Sequence, residues 1–137
     1  MSENLLRIQS ALREGKLPGD AVLITSPVNR RFATGFASSA GMALISKDKA
    51  WFMTDFRYAE AAQKSISGYT LLPLQRGQKY NTLISEILQA ENIRSLGVED
   101  RELTVSEHAS FASELGAVLP DGLKPIGAGL SYLRAVK

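Results

Sequence analysis

The sequence predicts an α/β layer fold, a mixed β-sheet covered by helices, and three observations carry that expectation. Segments with the apolar period of a helix alternate with short, apolar, β-branched runs of the kind found in buried strands. Within that alternation, two apolar runs at 42–46 and 50–54 bracket the charged turn Lys47-Asp48-Lys49, a hairpin signal that requires at least one antiparallel pair. No internal repeat or low-complexity tract interrupts the pattern, and 137 residues suit one domain, residues 1–137, with one sizeable core.

The elements follow in chain order. Ser2 offers an N-cap to a first helix whose Leu5, Ile8 and Leu12 share a face, and Gly15 stops it. Residues 21–25 (AVLIT) read as a buried strand ended by Pro27, and residues 28–34 as a short helix before Gly35. After the hairpin, Asp55 can cap a helix through Ser67, with Phe56, Ala59, Ala62 and Ile66 at helical spacing and Gly68 just beyond. A strand follows at 69–74 (YTLLPL). Residues 79–91 carry Tyr80, Leu83, Ile84, Ile87 and Leu88, the stripe of a helix buried along one side. Residues 95–99 (SLGVE) read as a strand. Thr104 and Glu107 then form a capping box that opens a helix with Phe111, Ala112, Leu115 and Leu119 inward. A last strand falls at 123–127 (LKPIG), and 129–137 (GLSYLRAVK) begins a helix with no stop signal, as expected of a fragment of a longer protein.

Composition narrows the function classes. Hydrophobic residues make up 45% and charged residues 22%, ordinary globular usage. Sixteen Lys and Arg against fourteen Asp and Glu are interspersed, and no basic stripe with interleaved aromatics marks a nucleic-acid partner. There is no cysteine, which excludes disulfides, thiolate metal sites and cysteine nucleophiles. Neither a signal-peptide segment nor a run of about 18 apolar residues is present, so the expected location is cytoplasmic, with no membrane partner.

The candidate chemistry is sparse. His108, the single histidine, shares a helical face with Phe111 and Leu115 and reads as a packed or boundary residue without a role. Asp55, Glu60, Glu99 and Asp100 could form a Mg²⁺-dependent nuclease site at strand ends. Each also has an ordinary reading: Asp55 as an N-cap, Glu60 on a polar helix face, Glu99 and Asp100 as solvent-facing acids after a strand. GFASSAG, residues 35–41, lacks the glycine spacing of a serine-hydrolase elbow, and neither a Walker nor a Rossmann phosphate loop occurs.

The stretch DAVLITSPVNRRFATGFASSAGMALISKDKAWFMTDFRYAEAA, residues 20–62, nevertheless has an order of motifs that resembles a known family. An apolar strand leads to an N-x-x-aromatic-x-T-G-F turn, a small-residue loop, a hairpin and T-D-x-R-Y. With the later SLGVED and closing LRAVK, it is similar to the N-terminal domain of the creatinase, prolidase and aminopeptidase P family over almost the whole chain. The resemblance implies a three-layer, ribonuclease H-like α/β domain with helices on both faces of a mixed sheet. It also implies a following pita-bread catalytic domain, absent here, holding two divalent metals (Mn, Co or Zn) that activate water against a Xaa-Pro bond. No catalytic residue and no metal ligand maps onto this chain.

By the same resemblance, this domain serves subunit pairing in a homodimer and shapes access of proline-containing peptides to the active site. Its partners are then its own C-terminal catalytic domain and a second subunit. The candidates for substrate access or interface are Phe36, Ser38 and Ser39 in the 36–41 loop, and Arg57 and Tyr58 in T-D-x-R-Y. Arg57 carries a guanidinium suited to two-point binding of a carboxylate, and Asn29 and Arg31 serve subunit contacts or the turn before Gly35. Two other readings remain: a stand-alone peptide- or protein-binding module, and a metal-dependent α/β nuclease.

Overall fold

The computed structural model describes residues 3–37 and 40–135. The elements are α1 (Glu3–Arg13), β1 (Ala21–Ile24), α2 (Pro27–Thr34), β2 (Met42–Ser46), β3 (Ala50–Asp55), α3 (Ala59–Ser65), β4 (Thr70–Leu74), α4 (Tyr80–Ala90), β5 (Ser95–Val98), α5 (Val105–Leu115), β6 (Gly122–Pro125) and α6 (Gly127–Ala135). The Ser2 cap lies outside the described residues.

The six strands form one mixed sheet in the order β4-β3-β2-β1-β5-β6. β2 is antiparallel to both β1 and β3, while β1–β5, β3–β4 and β5–β6 are parallel pairs. β2, the first strand of the predicted hairpin, is therefore the one reversed strand in this sheet, and the other five strands end at one edge. Because side chains alternate across a strand, β1 sends Val22 and Ile24 to one face and Ala21 and Leu23 to the other.

Each face has its own helices. Leu5, Ile8 and Leu12 of α1, Ala33 of α2, Ala62 of α3 and Leu130 of α6 pack with Ile45 and Phe52. On the opposite face, Ile84, Ile87 and Leu88 of α4 and Phe111 and Leu115 of α5 pack with Leu44, Met53 and Leu96. Three layers result, as the resemblance implies, because the helices bury their apolar stripes against the two faces of the sheet.

Local signals explain α2. Ser26 accepts from the Asn29 N–H as N-cap and Pro27 occupies the first turn, so one proline both ends β1 and opens the helix. Gly35 closes α2 at φ +76° with its N–H on the Arg31 carbonyl, a left-handed cap that favours glycine.

Three expectations need correction. Asp55 caps the 55–67 segment as predicted, but its first turn is 3₁₀ and α3 ends at Ser65 rather than Ser67. Asp55 is the last residue of β3, and its side chain accepts from the Arg57 N–H at 2.9 Å, closing a single 3₁₀ turn over Phe56–Tyr58 before the short α3. Phe56 is accordingly 48% exposed rather than buried. In α5 the inward stripe is narrower than predicted: Phe111 and Leu115 are buried, but Ala112 is exposed, and so is His108, which is neither packed nor at a boundary. The last strand ends at Pro125, since Ile126 leaves the ladder to bury its side chain while its N–H bonds the Val98 carbonyl at 3.0 Å.

Candidate functional site

The five co-directional strands place their carboxyl ends along one edge of the sheet, the position where ligands bind in open α/β folds. A groove of about 620 Å³ opens there between the turn after β3 and the loop before α4. Asp55, Phe56 and Arg57 form one wall, residues 75–80 the other, and Leu74 lies at the end of β4 between them. A second groove of about 330 Å³ shares Lys79 and Tyr80 with the first, and continues past Met42, Glu107, Phe111 and Glu114.

Arg57 is held in place from two sides. Its Nε and Nη2 donate to the Asp55 carboxylate at 3.0 and 3.3 Å, and its guanidinium lies 5.6 Å over the Tyr58 ring. These hydrogen bonds draw the Asp55 carboxyl below its ordinary value and push Arg57 up, so both stay charged. Of the residues singled out in the sequence, Arg57 lines the groove. Tyr58 is 41% exposed and stands behind it, stacked on Arg57.

The 36–41 loop is only partly described: Ser38 and Ser39 lie outside the described residues. Phe36 packs on the apolar cluster of the α1 face, with its N–H on the Thr34 hydroxyl at 3.1 Å. The loop's far end is anchored beside β3, where the Ala40 carbonyl accepts from the Thr54 hydroxyl at 3.4 Å. A Cβ on Gly41 would stand 2.6 Å from the Phe52 ring and 2.9 Å from the Met53 carbonyl, which is why glycine occupies this crossing.

Away from the groove, the same edge holds a polar centre that the sequence reading misplaced. Glu99, expected at the solvent, is fully buried. Its carboxylate accepts from the Thr25 and Ser26 N–H groups, both their hydroxyls, and the Asn29 amide. Burial pushes the Glu99 carboxyl up, but the bonds from Ser26, Asn29 and Thr25 outweigh it, and the net shift is downward. Asn29, 4% exposed, passes the contact on: its side-chain oxygen accepts from the Arg134 guanidinium of α6. Arg30 is also buried and donates to the Thr25 carbonyl; burial lowers its pKa while Tyr80 and Glu99 oppose that shift. Asn29 is therefore a bridge between α2, β5 and α6. The available signal was an acid directly ending the apolar run SLGV, with Thr25, Ser26 and Asn29 following the neighbouring strand.

The four acids weighed as a nuclease site do not converge. Glu99 is enclosed, Asp100 accepts from the Gly127 N–H at 2.8 Å, Asp55 pairs with Arg57, and Glu60 pairs with Lys64 at 3.3 Å. Among the described residues no three His, Asp or Glu side chains gather into a metal-holding set. The two divalent ions implied by the resemblance thus do not fit this domain's described residues.

The Creatinase/Prolidase N-terminal domain model matches residues 5–136. The chain belongs to this family. The chain is 37% identical over 124 residues to the uncharacterized peptidase YqhT of Bacillus subtilis, covering 90% of this chain and 33% of that protein. Among solved structures, the Xaa-Pro dipeptidase from Bacillus anthracis superposes with a TM-score of 0.81 at 30% identity, over 98% of this chain and 36% of that one. The X-Pro aminopeptidase from Thermotoga maritima shares the fold, with a TM-score of 0.84 at 19% identity, over 97% of this chain and 36% of that one. This creatinase/prolidase N-terminal domain therefore spans about a third of the length of these three relatives. No helix among the described residues is long and apolar enough to cross a membrane.

Proposed function

We propose that this chain is the non-catalytic N-terminal domain of a cytoplasmic Xaa-Pro metallopeptidase of the prolidase or aminopeptidase P type. It serves subunit assembly in a homodimer and shapes the access of proline-containing peptides to the active site. The observation that carries the reading is the length relation: the domain covers 90% of itself but only 33% of a peptidase relative. The remaining two thirds of such a protein then supply the chemistry, two divalent metals (Mn, Co or Zn) that activate water against the Xaa-Pro bond.

In this reading the domain contributes position rather than catalysis. Arg57, oriented by Asp55 and Tyr58, presents its remaining donors at the edge of the groove, where a substrate carboxylate or a partner's acid can pair with it. Phe36 acts from behind, by setting the base of the 36–41 loop against the core.

The test has two arms. The 137-residue chain, incubated with Mn²⁺ or Co²⁺ and Xaa-Pro dipeptide and tripeptide substrates, is expected to release neither proline nor the N-terminal residue. Metal-dependent turnover that survives repurification would overturn the non-catalytic role. In the whole peptidase, Arg57→Ala is expected to raise KM for the tripeptide with a smaller effect on kcat, and unchanged kinetics would remove the access role.

A further inference from the structure

The groove at the carboxyl edge carries more positive charge than its own residues neutralise. Arg57, Arg76 and Lys79 line it, against a single acid, Asp55, which is already engaged by Arg57. Arg76 forms no ion pair among the described residues. Lys79 lies beside Glu114, whose carboxylate is also held by Ser110 and Asn81 at 2.7 and 2.9 Å, and shares the continuing groove with Glu107. The loop that presents the two cations is closed in both directions: the Gln78 N–H bonds the Gln75 carbonyl at 3.0 Å, and the Gln78 side-chain oxygen accepts from the Gln75 N–H at 2.8 Å. Gly77 at φ +86° makes that turn possible. Directly after it α4 begins with no side-chain cap, which leaves its amino end favourable to negative charge. The groove also offers apolar surface, with Phe56 half exposed and Leu74 and Tyr80 in its lining.

We propose that this groove docks an acidic, extended polypeptide segment, one that sets side-chain carboxylates against Arg76 and Lys79 and an apolar residue between them against Phe56 and Tyr80. The volume of about 620 Å³ suits a few residues of such a segment. A nucleic acid fits less well. The continuing groove brings Glu107 and Glu114 into line with Lys79, and a phosphate backbone cannot avoid repeating its charge beside them, whereas a peptide carries charge only where its sequence puts it. The inference does not depend on the peptidase reading, because it concerns side-chain carboxylates and the isolated chain.

The experiment measures fluorescence anisotropy of the 137-residue chain with a labelled, C-terminally amidated peptide, Glu-Glu-Phe-Glu-Glu, and with its counterpart in which Gln replaces each Glu. Amidation removes the terminal carboxylate, so binding reports side chains alone. Binding of the acidic peptide is expected, weakening as NaCl rises from about 20 to about 200 mM, with little binding of the Gln peptide. Arg76→Glu is expected to weaken it about fivefold or more, whereas Lys47→Glu, the same charge change in the β2–β3 turn at the other end of the sheet, leaves it unchanged. Both positions are exposed, so both variants should fold, and a circular dichroism melt verifies it. Equal loss in the two variants, equal binding of the Gln peptide, binding that requires a free C-terminus, or tighter binding of a single-stranded oligonucleotide lost in Arg76→Glu would each overturn the proposal.

Discussion

Glu99 keeps its charge in the interior because five donors surround it, two backbone N–H groups, two hydroxyls and an amide. Replacing it by Gln puts an amide donor among donors, and Glu99→Gln is expected to cost about 3 kcal/mol, read from the midpoint of urea unfolding. The pH dependence has a definite sign. The folded carboxyl lies below its unfolded value of about 4.3, so its contribution is complete above that value and is lost as pH falls through the lower folded value. Acid unfolding of the native chain should steepen in that window, and the slope should shrink in Glu99→Gln; parallel curves would show that Glu99 is not the group responsible. At the surface the contrast is plain: Arg57→Ala removes an exposed pair with Asp55 and should leave the urea midpoint unchanged. Both acids end a strand in the sequence, and nothing local separates them. What distinguishes Glu99 is the segment after β1, which lies over seventy residues away in the chain and closes around it only in the fold.

The elements most open to sequence reasoning are those that carry their own stop and start signals. The capping box of α5 is formed as predicted, with the Glu107 N–H on the Thr104 hydroxyl at 3.0 Å and the Thr104 N–H on the Glu107 carboxylate at 2.8 Å. Thr104→Ala should therefore destabilise the chain by about 1 kcal/mol without altering the groove. Gly41 is the opposite case, a residue whose need is set by another strand. Gly41→Ala drives a Cβ into Phe52 and the Met53 carbonyl and is expected to cost about 2 kcal/mol, again by urea unfolding; a neutral result would mean that β2 and β3 separate easily there. The 3₁₀ start of this helix escaped the periodicity because Phe56, Ala59, Ala62 and Ile66 keep helical spacing through it. The Asp55 side chain accepts from the Arg57 N–H two residues ahead, and that local bond goes with a tighter, 3₁₀ first turn.

At the scale of the whole molecule, two apolar layers share one sheet, so neither can melt without exposing the other. Trp51, 9% exposed in β3, should lose its buried fluorescence in the same urea transition that abolishes the far-ultraviolet dichroism. Two separated transitions would show that the α4–α5 face unfolds alone. The sequence by itself determined the class, the hairpin, the six-strand alternation with helices, and the family, since periodicity, capping residues and motif order are properties of neighbours along the chain. The tertiary structure alone decided the strand order, the burial of Glu99 and Asn29, and the meeting of Arg57 with Arg76 and Lys79 across the groove. Those depend on segments that are distant in sequence and adjacent in the sheet, and pairing between strands leaves no periodic trace in either partner.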